Sequence, residues 1–335
     1  MPLSTLNGRG RIAPMTAIQP IPTQLERARE YVHNTRAQAT YRAYRVHWRV
    51  FEDWCASHGV PALPAQPETV AAFLVADAER HKPATLTARL AAIAWRHRIA
   101  KLPNPCDALE VRELLRGIRR TLGTRPTRKR AATLDIIRRM ARAAGDDLRG
   151  KLYRALLLVG FWGAFRRSEL AGVRVEDITF TDYGARILIQ RSKTDQEGEG
   201  SYKQLERLAD QELCPIAALR EWLSASGITS GPAFRSISLT TGRLNERPIS
   251  GRHVARVVKL LAERIGESAH EFSGHSLRAG FVTSALARGA GEMDVMEQTG
   301  HKTARMLAVY SRQQGRGARR AIRAVAGPAV TGPDA

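Results

Sequence analysis

His275-Ser276-Leu277-Arg278 is followed by Gly300-His301 and, nine residues later, by Tyr310. Upstream, Arg166 stands in Phe165-Arg166-Arg167-Ser168-Glu169-Leu170, and Lys193 in Arg191-Ser192-Lys193-Thr194-Asp195. Together these positions offer two guanidiniums, two imidazoles, one ammonium and one phenol. A phosphodiester under attack gathers negative charge on its non-bridging oxygens, and preorganised cations aimed at those oxygens are the largest catalytic contribution available. A guanidinium fork matches phosphate geometry and stays charged. A phenol, which ordinarily titrates at about 10, becomes a nucleophile beside positive charge and a proton acceptor. The set is sufficient to break and remake a phosphodiester without a metal ion.

The composition points the same way. The 335 residues include 53 Lys and Arg against 32 Asp and Glu, a formal charge of +21. So large a surplus, spread along the whole chain, implies an anionic polymer as partner. No uninterrupted apolar run reaches the roughly 18 residues needed to span a membrane. Met1 to Pro20 lacks the continuous apolar stretch of a signal peptide, so the expected compartment is the cytosol, associated with the nucleoid or supplied by a phage or plasmid. Cys55, Cys106 and Cys214 form no CxxC pair, and neither a zinc site nor a disulfide framework is expected. There is no GxxxxGK[ST] motif, and no cofactor is expected. His33, His47, His58, His81, His97, His253 and His270 show no metal-ligand spacing and are read as structural or DNA-facing.

The length suits two domains of ordinary size. Residues 1–21 carry no periodicity and read as a flexible arm. Over 22–122 the period is helical throughout. Tyr44, Trp48, Phe51 and Cys55 share one face; Val70, Phe73, Leu74 and Ala78 repeat the pattern after Pro67. Leu86, Leu90, Ile93 and His97 continue it, and Leu109, Val111, Leu114, Leu115 and Ile118 end it. Charge and backbone breakers from Arg119 to Arg130, among them Gly123 and Pro126, mark a basic linker, placed at 123–131. The second domain, 132–327, opens with helices at about 134–145 and 149–162. Strands follow near 178–181, 185–190 and 202–208, the last two joined by a polar turn over 194–200. Helices resume at about 215–226, 250–265, 276–288, 292–299 and 303–311. A basic helix around 318–326 closes the fold, and 328–335 reads as a disordered tail. The fold class is therefore mostly α with one small antiparallel β-sheet.

The order Arg-x-Ser-Glu-Leu, Lys in a β-hairpin, His-x-x-Arg, Gly-His and Tyr resembles the tyrosine recombinases, or phage integrase family, over nearly the whole chain. The resemblance implies a helical, SAM-like core-binding domain followed by the family's catalytic domain. It implies that Arg166 and Arg278 bind the scissile phosphate and that His301 hydrogen-bonds one of its oxygens. Tyr310 would form a 3′-phosphotyrosyl bond and release a 5′-hydroxyl, with Lys193 protonating the departing oxygen. His275 is either the acceptor of the phenolic proton or a hydrogen-bond partner of the phosphate. Glu169, three residues after Arg166 and on the same helix face, would hold an active-site side chain in place. Arg42, Arg45, Arg49, Arg89, Arg96 and Arg98, on two helices expected in the major groove, are candidates for DNA contact. Arg125, Arg128, Lys129 and Arg130 of the linker are candidates for the phosphate backbone.

The resemblance further implies double-stranded DNA with inverted half-sites as substrate, a homodimer on each site and a homotetramer in synapsis. Strand exchange would pass through a Holliday junction, with accessory factors possible. No further arm-binding domain is read in the sequence, which favours a short recombination site, and the terminal basic helix is expected to dock into a neighbouring protomer. Rival readings are a type IB topoisomerase-like activity, a non-catalytic regulator on a recombinase scaffold, and an RNA-binding or nucleoid protein. The last explains the charge but not the motifs.

Overall fold

The computed structural model describes residues 24, 26–27, 38–125, 128–190, 200–238, 240–303 and 306–307. The chain divides into two compact units, Met1–Pro126 and Thr127–Ala335, at a point inside the 123–131 segment. Tyr310, Lys193 and the terminal helix expected at 318–326 lie outside the described residues.

From residue 38 onward the described part of the first unit contains α1 (Gln38–Ser57), α2 (Pro67–Ala78), α3 (Pro83–Ile99) and α4 (Leu109–Leu122). Both α2 and α3 begin on proline, whose missing N–H costs nothing in a first turn. The apolar stripes converge on one core in which Phe51, Val70, Leu74, Leu86, Ile93 and Val111 are fully buried. Phe51 meets Phe73 edge-on at 5.1 Å, and truncating a ring so placed costs roughly 3–5 kcal/mol. His97 also lies inside. Its Nε2 accepts from Ala65 N at 2.9 Å, which leaves Nδ1 to donate to Ile93 O at 2.9 Å, so the histidine pins the α1–α2 connection to α3. One expectation changes: Leu109 of the last stripe is exposed. α4 runs to Leu122 and ends where Gly123 takes φ 71°, so Arg119 and Arg120 are helical, and Arg119 donates to Thr87 Oγ1 at 3.0 Å.

The second unit is built around α6 (Leu148–Trp162), ten of whose fifteen residues are buried. Around it lie α5 (Leu134–Arg142), α7 (Arg167–Gly172), α8 (Pro215–Ser226), α9 (Gly251–Arg264), α10 (His275–Ala287) and α11 (Glu292–Thr299). The strands β1 (Ile178–Phe180), β2 (Gly184–Ile189) and β3 (Ser201–Glu206) form an antiparallel sheet in the order β1-β2-β3. β2 and β3 pair from Gly184↔Glu206 to Ile189↔Ser201. A second sheet was not anticipated: β4 (Arg235–Ile237) pairs with β5 (Leu244–Pro248). Its strands are three and five residues long and at most half-buried, so they carry no alternation to read.

Two glycines set how closely α10 packs. A Cβ on Gly160 would stand 2.8 Å from Leu277 Cδ1 and 2.9 Å from Leu170 Cδ2, where α6, α7 and α10 meet. A Cβ on Gly280 would lie 1.8 Å from Ala132 O. The extended segment there runs along α10, with Ala132 N bonded to Ser276 O at 3.0 Å and Leu134 N to Ser284 Oγ at 3.1 Å. The segment read as linker is therefore anchored at its carboxy-terminal end. Arg130 N donates to Glu271 O at 2.7 Å, and its guanidinium reaches Glu267 at 2.5 Å.

Candidate active site

Arg166 occupies the N-cap position of α7, immediately outside the first turn. The carboxylate of Glu169 accepts from Arg166 N at 2.8 Å and from Arg166 Nη1 at 2.6 Å. Glu169 is almost wholly buried while the guanidinium keeps a fifth of its surface open, so the acid sits behind the base and steadies it. Arg278, one turn into α10, is buried and donates through Nη1 to Ala164 O at 2.9 Å. Ala164 lies in the turn just ahead of Arg166, so one short loop fixes both guanidiniums.

His275 is the first residue of α10, and its N–H is capped by Ser273 Oγ at 3.2 Å. Burial lowers its pKa, and Arg278, Arg167 and Arg166 lower it further by their charge. His301 follows Gly300, whose φ of 68° lets the chain turn off the end of α11. The Thr299 hydroxyl commits its proton to Val295 O at 2.6 Å, so at 2.8 Å it can only accept from His301 Nδ1. Nε2 is then the basic nitrogen of that ring. The His301 pKa is pushed down to about 4, by burial first and then by Arg278, Arg166, His275 and Lys203. Four of the six side chains expected at the site thus share one electropositive field, drawn from the head of α7, α10 and the turn after α11, with Arg278 and His301 buried and Arg166 and His275 open to solvent. The other two, Lys193 and Tyr310, fall outside the described residues.

Residues 132–316 match the model of the Phage integrase family. An integrase/recombinase xerD homolog of Selenomonas ruminantium is 36% identical over 291 residues, 86% of this chain and 85% of the relative. The chain belongs to the phage integrase family. It is a tyrosine-type site-specific DNA recombinase. The recombinase Cre of Escherichia phage P1 is 26% identical over 287 residues, covering 79% of this chain and 81% of that one. Among solved structures, a lambda integrase dimer bound to a COC′ core site has a TM-score of 0.59 at 17% identity, over 88% of this chain and 78% of that one. XerH bound to a palindromic difH substrate gives 0.56 at 15% identity, over 77% and 72%. These likenesses show the integrase fold, mostly α with small antiparallel sheets.

The recombinase's basic surface differs from expectation at several positions. Arg42, Arg45 and Arg49 on α1 and Arg98 on α3 are exposed, as are Arg125 and Arg128. Arg89 is not: it is buried against the equally buried Asp77 of α2, with its guanidinium 5.7 Å from the Phe73 ring. An arginine spent on an internal ion pair is removed from the set of DNA contacts. Arg96 is half-covered, its guanidinium 5.8 Å from the Trp48 ring. Lys129 donates to His270 O, and Arg130 is held by Glu267 and Glu271, so both serve first to anchor the chain to the second unit. One basic residue at the site was missed. Lys203 on β3 is buried, with its pKa lowered to about 8 by burial and by Arg278 and then Arg166, against the opposing pull of Glu169. The signal for it is the alternation of β3, in which Lys203 shares the inward face with Leu205.

Among the described residues no helix is long and apolar enough to cross a membrane.

Proposed function

We propose that Tyr310 is the nucleophile of this recombinase and that Arg166, Lys193, His275, Arg278 and His301 serve its transesterification. The observation that carries the reading is the convergence of Arg166, His275, Arg278 and His301 in one electropositive field. The Tyr310 oxygen attacks phosphorus and forms the 3′-phosphotyrosyl ester while the bond to the 5′-oxygen breaks. His275, kept neutral by burial and by Arg278, accepts the phenolic proton, and Lys193 donates a proton to the departing oxygen. Arg166 and Arg278 hold the non-bridging oxygens. His301 adds a hydrogen bond from Nε2 once the bound phosphate has drawn a proton onto it.

Religation by a partner strand's 5′-hydroxyl reverses these steps, so no nucleotide energy source enters. The substrate is duplex DNA with inverted half-sites, bound by a dimer, and two such dimers form the tetramer that exchanges strands through a Holliday junction. Lambda integrase, captured as a tetramer on a Holliday junction at a TM-score of 0.56, supports that assembly. The exposed arginines of α1 and α3, with Arg125 and Arg128, supply backbone or groove contacts.

The test is covalent trapping on nicked duplexes taken from the DNA flanking the coding sequence, with wild type beside Tyr310→Phe. A denaturant-resistant adduct present in wild type and lost in the variant is expected. An adduct that persists in Tyr310→Phe overturns the assignment of the nucleophile. Duplex binding with no wild-type adduct favours a non-catalytic regulator, and an adduct that never yields recombinant joints favours religation in place.

A further inference from the structure

Lys203 is costly to keep where it is. It lies on β3 opposite Ile187, one inward position from the buried Leu205, and only 4% of its surface is exposed. Among the described residues it forms no ion pair within 4.0 Å, and its ammonium donates to the main-chain oxygen of Gln298 in the last turn of α11. An apolar side chain of the same length would pack there without the penalty of desolvating a charge. A retained buried charge that packing does not require points to function.

The groups facing it identify that function. Arg278 of α10 and Arg166 at the head of α7 oppose its protonation, and Glu169 of α7 favours it. His301 in turn feels the charge of Lys203. The Gln298 side chain closes the connection from the other side, donating to Gln204 O of β3 at 2.7 Å and to Trp162 O of α6 at 2.8 Å. β3 and the last turn of α11 are therefore clamped in both directions, two residues ahead of Gly300-His301. β3 is also the strand that follows the segment carrying Lys193.

We propose that Lys203 is a positioning residue of the recombination site, holding the Gly300-His301 turn against β3 and adding a third positive charge behind Arg166 and Arg278. The inference rests on the reading of that cluster as the phosphate-binding site. In the free protein the charge is present below pH about 8 and lost above it. A phosphate arriving in front of the two guanidiniums offsets their repulsion and stabilises the ammonium. Lys203 thus adds its full charge when the phosphate arrives, and withdraws it at high pH.

The experiment compares wild type, Lys203→Met and Lys203→Arg on the nicked duplex that traps the wild-type chain, following adduct formation at sub-saturating protein from pH 6.5 to 9.5 together with thermal unfolding. Lys203→Met is expected to unfold at the wild-type temperature or above it, yet to form adduct roughly 10- to 100-fold more slowly, the size of effect typical for a residue that supports a direct contact. The wild-type decline above pH about 8 should flatten in Lys203→Met. Lys203→Arg, which stays charged, should recover much of the rate and hold it at high pH. Unchanged rate and pH profile in Lys203→Met would overturn the proposal, as would a rate loss that merely follows a lowered unfolding temperature. Failure of the wild-type chain itself to form an adduct would overturn the reading of the site, and this inference with it.

Discussion

Arg278 is bonded to Ala164 by 2.9 Å from Nη1 to the main-chain oxygen, and that one contact aligns the two guanidiniums of the site. α6 ends with Phe165 N bonded to Gly160 O at 3.2 Å and Ala164 N to Phe161 O at 2.9 Å, the paired bonds of a Schellman cap. The cap turns the chain through Ala164, leaves its carbonyl facing α10, and delivers Arg166 two residues later. A helix terminus in the core thereby sets the spacing of the two guanidiniums.

Arg278→Lys tests that alignment. Lysine keeps the charge but lacks the fork that bonds Ala164 with one nitrogen and leaves others for the proposed phosphate contact. Adduct formation is expected to fall on the order of 10²–10³-fold, as when one transition-state donor is removed. Duplex affinity, carried by many phosphate contacts, should change by less than about threefold. Equal losses in binding and cleavage would place Arg278 in general DNA attraction instead.

The cap also carries a strained residue. Ala164 has φ 47°, the left-handed conformation that glycine takes freely and residues with a Cβ take at a cost. Ala164→Gly is expected to stabilise the folded chain by about 0.5–1 kcal/mol, seen as a rise of about 1–4 °C in unfolding temperature. No rise would mean that the alanine methyl contributes packing equal to the strain.

Glu169→Gln separates support from chemistry. The amide keeps an acceptor for Arg166 N but removes the opposing charge from Arg166 Nη1, now 2.6 Å away. Hydrogen bonds to charged groups contribute roughly 1.5–3 kcal/mol, and with Arg166 partly exposed the loss of stability should lie at or below the lower end. Cleavage should fall about tenfold as Arg166 loses its fixed orientation. A full collapse of activity with unchanged stability would instead make Glu169 a direct participant.

Much of the fold was legible because its helices have long apolar periods and its first hairpin alternates. β4 and β5 were not, since strands this short and exposed carry no pattern. Arg89 departs from expectation because a charged side chain is ordinarily a surface one unless it is paired. Yet Asp77 falls three residues after Leu74 on the buried stripe of α2, and Arg89 three after Leu86 on that of α3. Opposite charges on two facing buried stripes are the sequence signature of an internal ion pair. Lys203 carried the same kind of signal, a lysine in register with the inward Leu205. The family's motifs are legible for a different reason: the proposed chemistry demands particular residue types in a fixed order, whatever the packing around them.

The lowered His301 pKa ties stability to pH with a definite sign. In the unfolded chain the imidazole takes up its proton as pH falls through about 6.5, whereas the folded site resists until about 4. Between those values the unfolded state binds more protons, so stability declines as pH falls across the window and is regained as it rises. The contribution is roughly 1–3 kcal/mol. Chemical denaturation at pH 7 and at pH 4.5 should therefore show a smaller loss in His301→Gln than in wild type, by that amount. The same depression predicts proton uptake when a phosphate binds, because its charge draws the proton onto Nε2. Titration calorimetry of duplex binding at pH 6, in two buffers of different ionisation enthalpy, should report uptake in wild type and less in His301→Gln. Identical pH slopes and identical uptake in the two proteins would mean that His301 is not the group the fold holds neutral.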